Sequence, residues 1–408
     1  MPRFPLTFIL CMCVTPVIQA DNWPRFRGEN GLGISDQTGI PSEWDNDDYA
    51  WVIELDKLGH SQPMVWDKAL FLTTATEGGT QRFLHRLNAD TGETVWTVSQ
   101  EFETSHKHLK NSWASSTPAT EGKRVYVIFA DEQSHIVTAY SFDGEKIWSR
   151  NLGGFESQHG QGVSPVVAEG LVIVSNDQRG VSSITALDSE TGEEVWSVDR
   201  PSGATSYSTP VLLPGDGGRT QVICVSEASG IASLDLKTGR LNWQTEPLPM
   251  RTVAGPAIGN GVVVATCGQG GNGKYLLAVN PREQTDSPSR TLFERTKQLP
   301  YVPTCVVLDN LLFLWGDAGI LNCIDAYTGR EYWTKRITGA FSSSPVCIDG
   351  RLFCVSETGE VVVIRASDEF ELLGRVKLGD RSHTTPVVAN GHLYLRTFGK
   401  LFALKAAQ

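Results

Sequence analysis

Short apolar runs such as Val222-Ile-Cys-Val225 and Tyr275-Leu-Leu-Ala-Val279 follow one another along the chain, separated by turns carrying Gly, Asn or Asp. Runs of that length between such turns read as strands joined by tight connections. One landmark recurs: a turn with Thr-Gly or Asp-Gly, then a tryptophan four residues after its glycine. It reads Leu87-Asn-Ala-Asp-Thr-Gly-Glu-Thr-Val-Trp96, Phe142-Asp-Gly-Glu-Lys-Ile-Trp148 and Leu187-Asp-Ser-Glu-Thr-Gly-Glu-Glu-Val-Trp196. Two further copies end at Trp243 and Trp333. A period of roughly 40–50 residues built of short strands predicts stacked sheet units arranged as a propeller.

A second landmark opens each unit: a small polar residue, then proline, then alternating apolar residues and a turn. The prolines are Pro63, Pro118, Pro165, Pro210, Pro256, Pro345 and Pro386, and Thr304-Cys305 takes the equivalent place in one unit. Turns such as Asn260-Gly261, Asp349-Gly350 and Asn390-Gly391 follow them, the strongest short hairpin signal. Eight starts result, and eight tryptophan places if Trp51, Phe293 and Leu373 are included. Trp51 precedes the first start, and the last start has no tryptophan after it. The final unit therefore lacks a fourth strand, and Trp51-Val-Ile-Glu-Leu55 would supply it, closing the ring and removing its exposed edge. The expectation is an all-β, eight-bladed propeller of four-stranded antiparallel blades, closed by the N-terminal strand. Residues 1–20 read as a signal peptide, 21–46 as an N-terminal arm and 47–408 as the propeller. Trp51, Trp96, Trp148, Trp196, Trp243 and Trp333 are expected to pack between blades as structural residues.

Composition narrows the setting. Of 408 residues 40% are apolar and 20% charged, with 40 Gly and 11 Trp, which suits folded strands rather than disorder. A formal charge of −11 argues against nucleic acid or anionic lipid as main partners. Arg3 ahead of the mostly apolar run to Val17, with Ile18-Gln-Ala20 as a cleavage site, reads as a secretory signal. Cys11 and Cys13 lack the small preceding residue that a lipid-anchor site needs. No later apolar run approaches the ~20 residues of a spanning helix. The expectation is an exported, soluble, periplasmic monomer. The six cysteines after the signal sit in apolar runs without Cys-x-x-Cys spacing, so a metal or redox role is not expected.

The Asp-x-x-Thr-Gly-x-x-x-Trp units resemble the PQQ-like repeat family, shared by quinoprotein dehydrogenases and the outer-membrane assembly factor BamB. Trp23-Pro-Arg-Phe-Arg-Gly-Glu-Asn-Gly-Leu-Gly33 and Gln158-His-Gly-Gln-Gly-Val-Ser-Pro165 resemble exported PQQ-like propeller proteins of planctomycetes. In the dehydrogenase branch the resemblance implies PQQ on the axis, calcium, an aspartate base and a disulfide between adjacent cysteines. This chain has no adjacent cysteine pair. In the BamB branch it implies envelope protein assembly.

Other motifs do not carry chemistry. His-Glu-x-x-His and Gly-x-Ser-x-Gly are absent. Gly268-Gln-Gly-Gly-Asn-Gly-Lys274 matches phosphate-loop spacing, but a strand rather than a helix follows, so it reads as a long loop between strands.

Propeller geometry sends the loops before the prolines to one mouth of the axis. They hold His60, His108, Asn111, Trp113, His159, Gln161, Tyr207, Arg251, Tyr301, Phe341 and His383, groups that suit a small ligand or a partner. Loops between second and third strands place Asp177, Glu227, Asp317 and Glu357 on the same face as an acidic rim. Loop 73–82 and insert 102–112 are expected to be long lids or partner contacts. The reading is a non-enzymatic binding scaffold for an envelope protein, peptide or saccharide, with no catalytic residue, metal or cofactor. A PQQ-dependent oxidoreductase with calcium is the alternative.

Overall fold

The computed structural model describes residues 21–283 and 290–407; the signal-peptide reading falls outside them. These residues form eight sheets set around one axis. Blades 1 to 7 occupy residues 64–101, 119–151, 166–200, 211–244, 257–295, 306–336 and 346–377, each an antiparallel four-stranded meander running outward from the hub. Blade 8 has Val387–Ala389, His392–Arg396 and Lys400–Lys405, and its outer strand is Tyr49–Glu54. Trp51 lies opposite Ala403 and Val52 opposite Phe402, so the chain ends close the ring as expected.

Turn chemistry explains the local structure. Between first and second strands, Glu169, Asn260, Asp349 and Asn390 have φ of 48°, 45°, 49° and 49°, each followed by a glycine of positive φ. That pair is the type I′ turn, whose twist matches the flanking strands. In the outer turns, Asp188 Oδ1 accepts from the amides of Glu190 (2.9 Å) and Thr191 (2.8 Å) and from the Thr191 hydroxyl (3.1 Å). Asp235 and Asp325 repeat the pattern.

The tryptophans join blades pairwise. Trp51 Nε1 donates to Ala89 O (3.1 Å), Trp96 to Phe142 O (2.8 Å), Trp148 to Ser189 O (3.1 Å), Trp196 to Leu236 O (3.0 Å) and Trp333 to Ser367 O (3.0 Å). Each acceptor belongs to the outer turn of the next blade. The turn glycine there lies flat on the indole: a Cβ on Gly239 would stand 2.6 Å from Trp196 Cε3, and one on Gly192 2.6 Å from Trp148. The glycine of one repeat and the tryptophan of the preceding one are thus a single packing unit. Trp243 differs, with no hydrogen bond to Nε1 among the described residues and the Arg290 guanidinium 4.5 Å above its ring. Phe293 takes the indole's place under Gly329, and Leu373 packs at the blade 7–8 seam.

Two loops are shorter than the sequence suggests. Residues 268–274 are not a long loop: Val262–Gln269 and Asn272–Val279 form one hairpin turned by Gly270-Gly271. In blade 1, Ala69–Ala75 and Gln81–Asn88 pair almost to their ends, because the polar threonines extend the ladder.

The arm does not lie outside the wheel. Residues 21–35 enter the hub from the face opposite the mouth. Trp23 exchanges backbone bonds with Val65, and Pro24 O accepts from Thr120 N (2.9 Å). The chain turns at Phe26-Arg27-Gly28 and returns along Ile34–Ser35, which pairs in parallel with Cys347 and Ile348. Arg27, 2% exposed, donates to Leu32 O (2.8 Å), Pro345 O (3.0 Å) and Cys305 O (3.2 Å). Its burial lowers the guanidinium pKa to about 10, a cost that these carbonyl bonds offset.

Candidate functional site

The small polar residues that precede the prolines form a belt around the hub. Gln62 N donates to Thr117 Oγ1 (3.0 Å), Thr117 N to Ser164 Oγ (2.9 Å) and Ser164 N to Thr209 Oγ1 (3.1 Å). On the far side Gly255 N donates to Thr304 Oγ1 (3.0 Å), Thr304 N to Ser344 Oγ (2.9 Å) and Ser344 N to Thr385 Oγ1 (3.0 Å). Proline follows every one of these donors except Thr304, because the amide after the donor is not needed by the inner strand. The belt is interrupted at Gly255, which offers no hydroxyl to Thr209, and at Gln62, whose side chain holds the arm through Arg27 N (2.8 Å).

Above the belt lies a cavity of about 460 Å³, within the range of small-ligand sites. Its lining includes His60, His108, Asn111, His159, Tyr207, Arg251, Tyr301, Asp317 and His383, with Phe26 of the arm reaching it from below. The loops before the prolines therefore converge as the sequence suggests, but the arm makes the axis a blind pocket rather than a channel.

Insert 102–112 crosses this mouth. His108 N donates to His159 O (3.1 Å), Asn111 Nδ2 to His159 O (2.7 Å), and Lys110 Nζ to Glu357 Oε1 of blade 7 (2.6 Å). His383 Nδ1 bonds Lys110 O (3.1 Å); a carbonyl only accepts, so that nitrogen carries the proton. Trp113 anchors the strap from outside the cavity, with Nε1 to Ser105 O (3.0 Å) and its ring under Gly79. Gln161 Nε2 donates to Val163 O (2.5 Å) and its carbonyl accepts from Asn111. Phe341 is fully buried against Trp315, ring centres 5.5 Å apart, and belongs to the blade 6–7 core.

Two imidazole pairs frame the pocket: His60 with His383 and His108 with His159, each with centroids 4.9 Å apart. His60 also stacks on Phe398. Burial holds the His60 pKa well below its ordinary value, with His383 and Arg396 adding to the effect. Burial, then the Arg251 charge, pushes His159 down to about 4. His159 is therefore neutral, with Nε2 accepting from Arg251 Nη1 (2.6 Å). Arg251 also donates to Gln158 Oε1 (3.0 Å) and, through Nε, to Tyr301 Oη (2.8 Å).

The four acids part company. Asp177 is buried in an ion pair with Arg200 (2.9 Å, side chains 3% and 4% exposed) at the seam with blade 4. Glu227 Oε2 accepts from Ala204 N (3.1 Å). Glu357 has its carboxyl below the ordinary range: burial works upward, but bonds from Lys110 and Ser342 outweigh it. Asp317 alone lines the cavity, accepting from Tyr301 N (2.7 Å) and Val302 N (3.2 Å), and burial raises its pKa to about 6 despite those amides. A continuous acidic rim is not formed, because Asp177 turns inward to Arg200.

The donor set does not fit the calcium and quinone that the dehydrogenase resemblance implies. Among the described residues no cluster of three or more His, Cys, Asp or Glu is arranged to hold a metal. The six described cysteines are free, buried and scattered over blades 4 to 7, so no disulfide platform faces the mouth. Burial lifts the Cys224, Cys305 and Cys354 thiols to about 12.

Comparison with known proteins decides the family. The model of the outer membrane protein assembly factor BamB family matches residues 43–158, 80–299 and 300–408. The chain belongs to that family. BamB of Yersinia pestis is 22% identical over 307 residues, covering 71% of each chain. The structure of BamB from Moraxella catarrhalis superposes with a TM-score of 0.62 at 17% identity, covering 87% of this chain and 96% of that one. The quinohemoprotein alcohol dehydrogenase of Comamonas testosteroni gives 0.68 at 13% identity, covering 95% and 81%, a likeness of fold alone. No helix among the described residues is long and apolar enough to cross a membrane.

Proposed function

We propose that this chain is an exported, non-enzymatic scaffold for protein assembly in the cell envelope, presenting its mouth face to a protein partner. Membership of the BamB family supports the role. One observation carries the choice of face. Among the described residues the two most exposed large apolar side chains, Leu109 (94%) and Val181 (82%), both stand on mouth-side loops: the strap and the blade 3 hairpin. Exposed apolar groups beside a concave, hydrogen-bonding mouth are what a protein contact uses.

Capture from native envelope tests the reading. The full chain is expected to retain a partner, and His159→Ala with His383→Ala is expected to lose it without a large drop in melting temperature. Retained capture would exclude the mouth. For the enzymatic alternative, titration with PQQ and calcium is expected to leave spectrum and melting temperature unchanged; quinone absorbance with a thermal shift would overturn the scaffold.

A further inference from the structure

Charge within the blind pocket is unevenly matched. Lys110 is neutralised by Glu357. Arg200 at the neighbouring seam is neutralised by Asp177. Arg251, half-buried at the mouth, meets only neutral partners: Gln158 Oε1, His159 Nε2 and Tyr301 Oη. No carboxylate lies within ion-pair distance of it among the described residues. A guanidinium has five N–H donors, and these partners leave an Nη2 hydrogen unused.

The surroundings supply the rest of a binding site. Tyr207 and Tyr301 line the same cavity, and Phe26 closes it from below. The belt gap at Gly255 opens on the same side: Thr209 N has no hydroxyl to meet, where six equivalent amides do. A Cβ at Gly255 would be 3.3 Å from Thr209 O, so the gap is narrow and lined by backbone. The histidines add no competing charge, since burial keeps His60 and His159 neutral at pH 7.

We infer that the axial pocket binds a small organic carboxylate, held by Arg251 with the Tyr301 hydroxyl and enclosed by Tyr207 and Phe26. A partly buried guanidinium without a counter-ion gains a charge-assisted contact through its one free Nη2 hydrogen when a carboxylate arrives, which no neutral ligand returns. Among the described residues Asp317 is the one carboxyl lining the cavity, and its load is borne by two backbone amides rather than by Arg251. This rests on the mouth being the binding face, not on the identity of any assembly partner.

Calorimetric titration of the purified chain tests it, with N-acetyltyrosine against N-acetyltyrosinamide and glucuronate against glucose. At least one acid is expected to bind about 10-fold or more tightly than its neutral analogue. The pair that responds tells an aromatic acid from a sugar acid. Arg251→Gln is expected to erase that preference and Arg251→Lys to keep part of it, which separates charge recognition from misfolding. Equal binding of acid and neutral analogue, no binding of either acid, or a preference that survives in Arg251→Gln would overturn the inference. Partner capture is scored separately. Capture without acid binding rejects the pocket and spares the scaffold; acid binding without capture does the reverse.

Discussion

Asp317 shows how far a residue's role is set by its fold. From the sequence it is equivalent to Asp177, at the same distance from the start of its unit. In the structure Asp177 is consumed by Arg200, and Asp317 faces the pocket with a pKa raised to about 6 by burial. The folded state therefore holds the Asp317 proton more tightly than the unfolded chain, where the ordinary value is 3.8. Its contribution favours folding below that value and fades as pH rises through about 6. Melting curves of the parent and Asp317→Asn should thus diverge, the parent gaining on the variant as pH falls from 7 to about 4. Parallel curves would show that Asp317 is not desolvated. The mouth histidines, by contrast, were legible in the sequence, because their distance before each proline fixes the face. Which partners they meet was not, since those lie blades away.

At the scale of elements, the repeat is a joint rather than a decoration. The indole of one blade and the turn glycine of the next pack as a pair, so damage to either should weaken the same seam. Trp196→Ala is expected to cost about 3–5 kcal/mol in chemical denaturation. Gly239→Ala, at φ 68° and against the same indole, should cost more than ~1 kcal/mol. Full parental stability in either would refute the wedge. The strap is held differently. Lys110 is 51% exposed and Glu357 16%, and such a pair contributes under ~1 kcal/mol. Lys110→Met should leave the melting temperature nearly unchanged while hydrogen exchange quickens at residues 105–112. Unchanged exchange would mean that His108 and Asn111 hold the strap alone. Strand and turn signals made the blades readable in advance. The hairpin at 262–279 departs from the long loop expected there because Gly270-Gly271 serves as a two-residue turn inside a glycine-rich run.

For the whole molecule, closure was legible because the last unit lacks a strand that the first residues of the wheel supply. The course of the arm was not: Trp23 to Ser35 has no strand period, and its place depends on the Cys305 and Pro345 carbonyls that accept from Arg27. Removing residues 21–55 should uncover the outer edge of blade 8 and empty the hub. The expected result is a lower melting temperature and concentration-dependent association by light scattering. A monomer of parental stability would contradict the closure. The claim that the mouth is the working face is tested most directly by photo-crosslinking in living cells. A photoreactive residue is placed at Leu109 or Val181 on that face, or at Tyr327, in an outer turn on the opposite face. Adducts with an envelope protein are expected from 109 or 181 and not from 327; adducts from 327 alone would contradict the account.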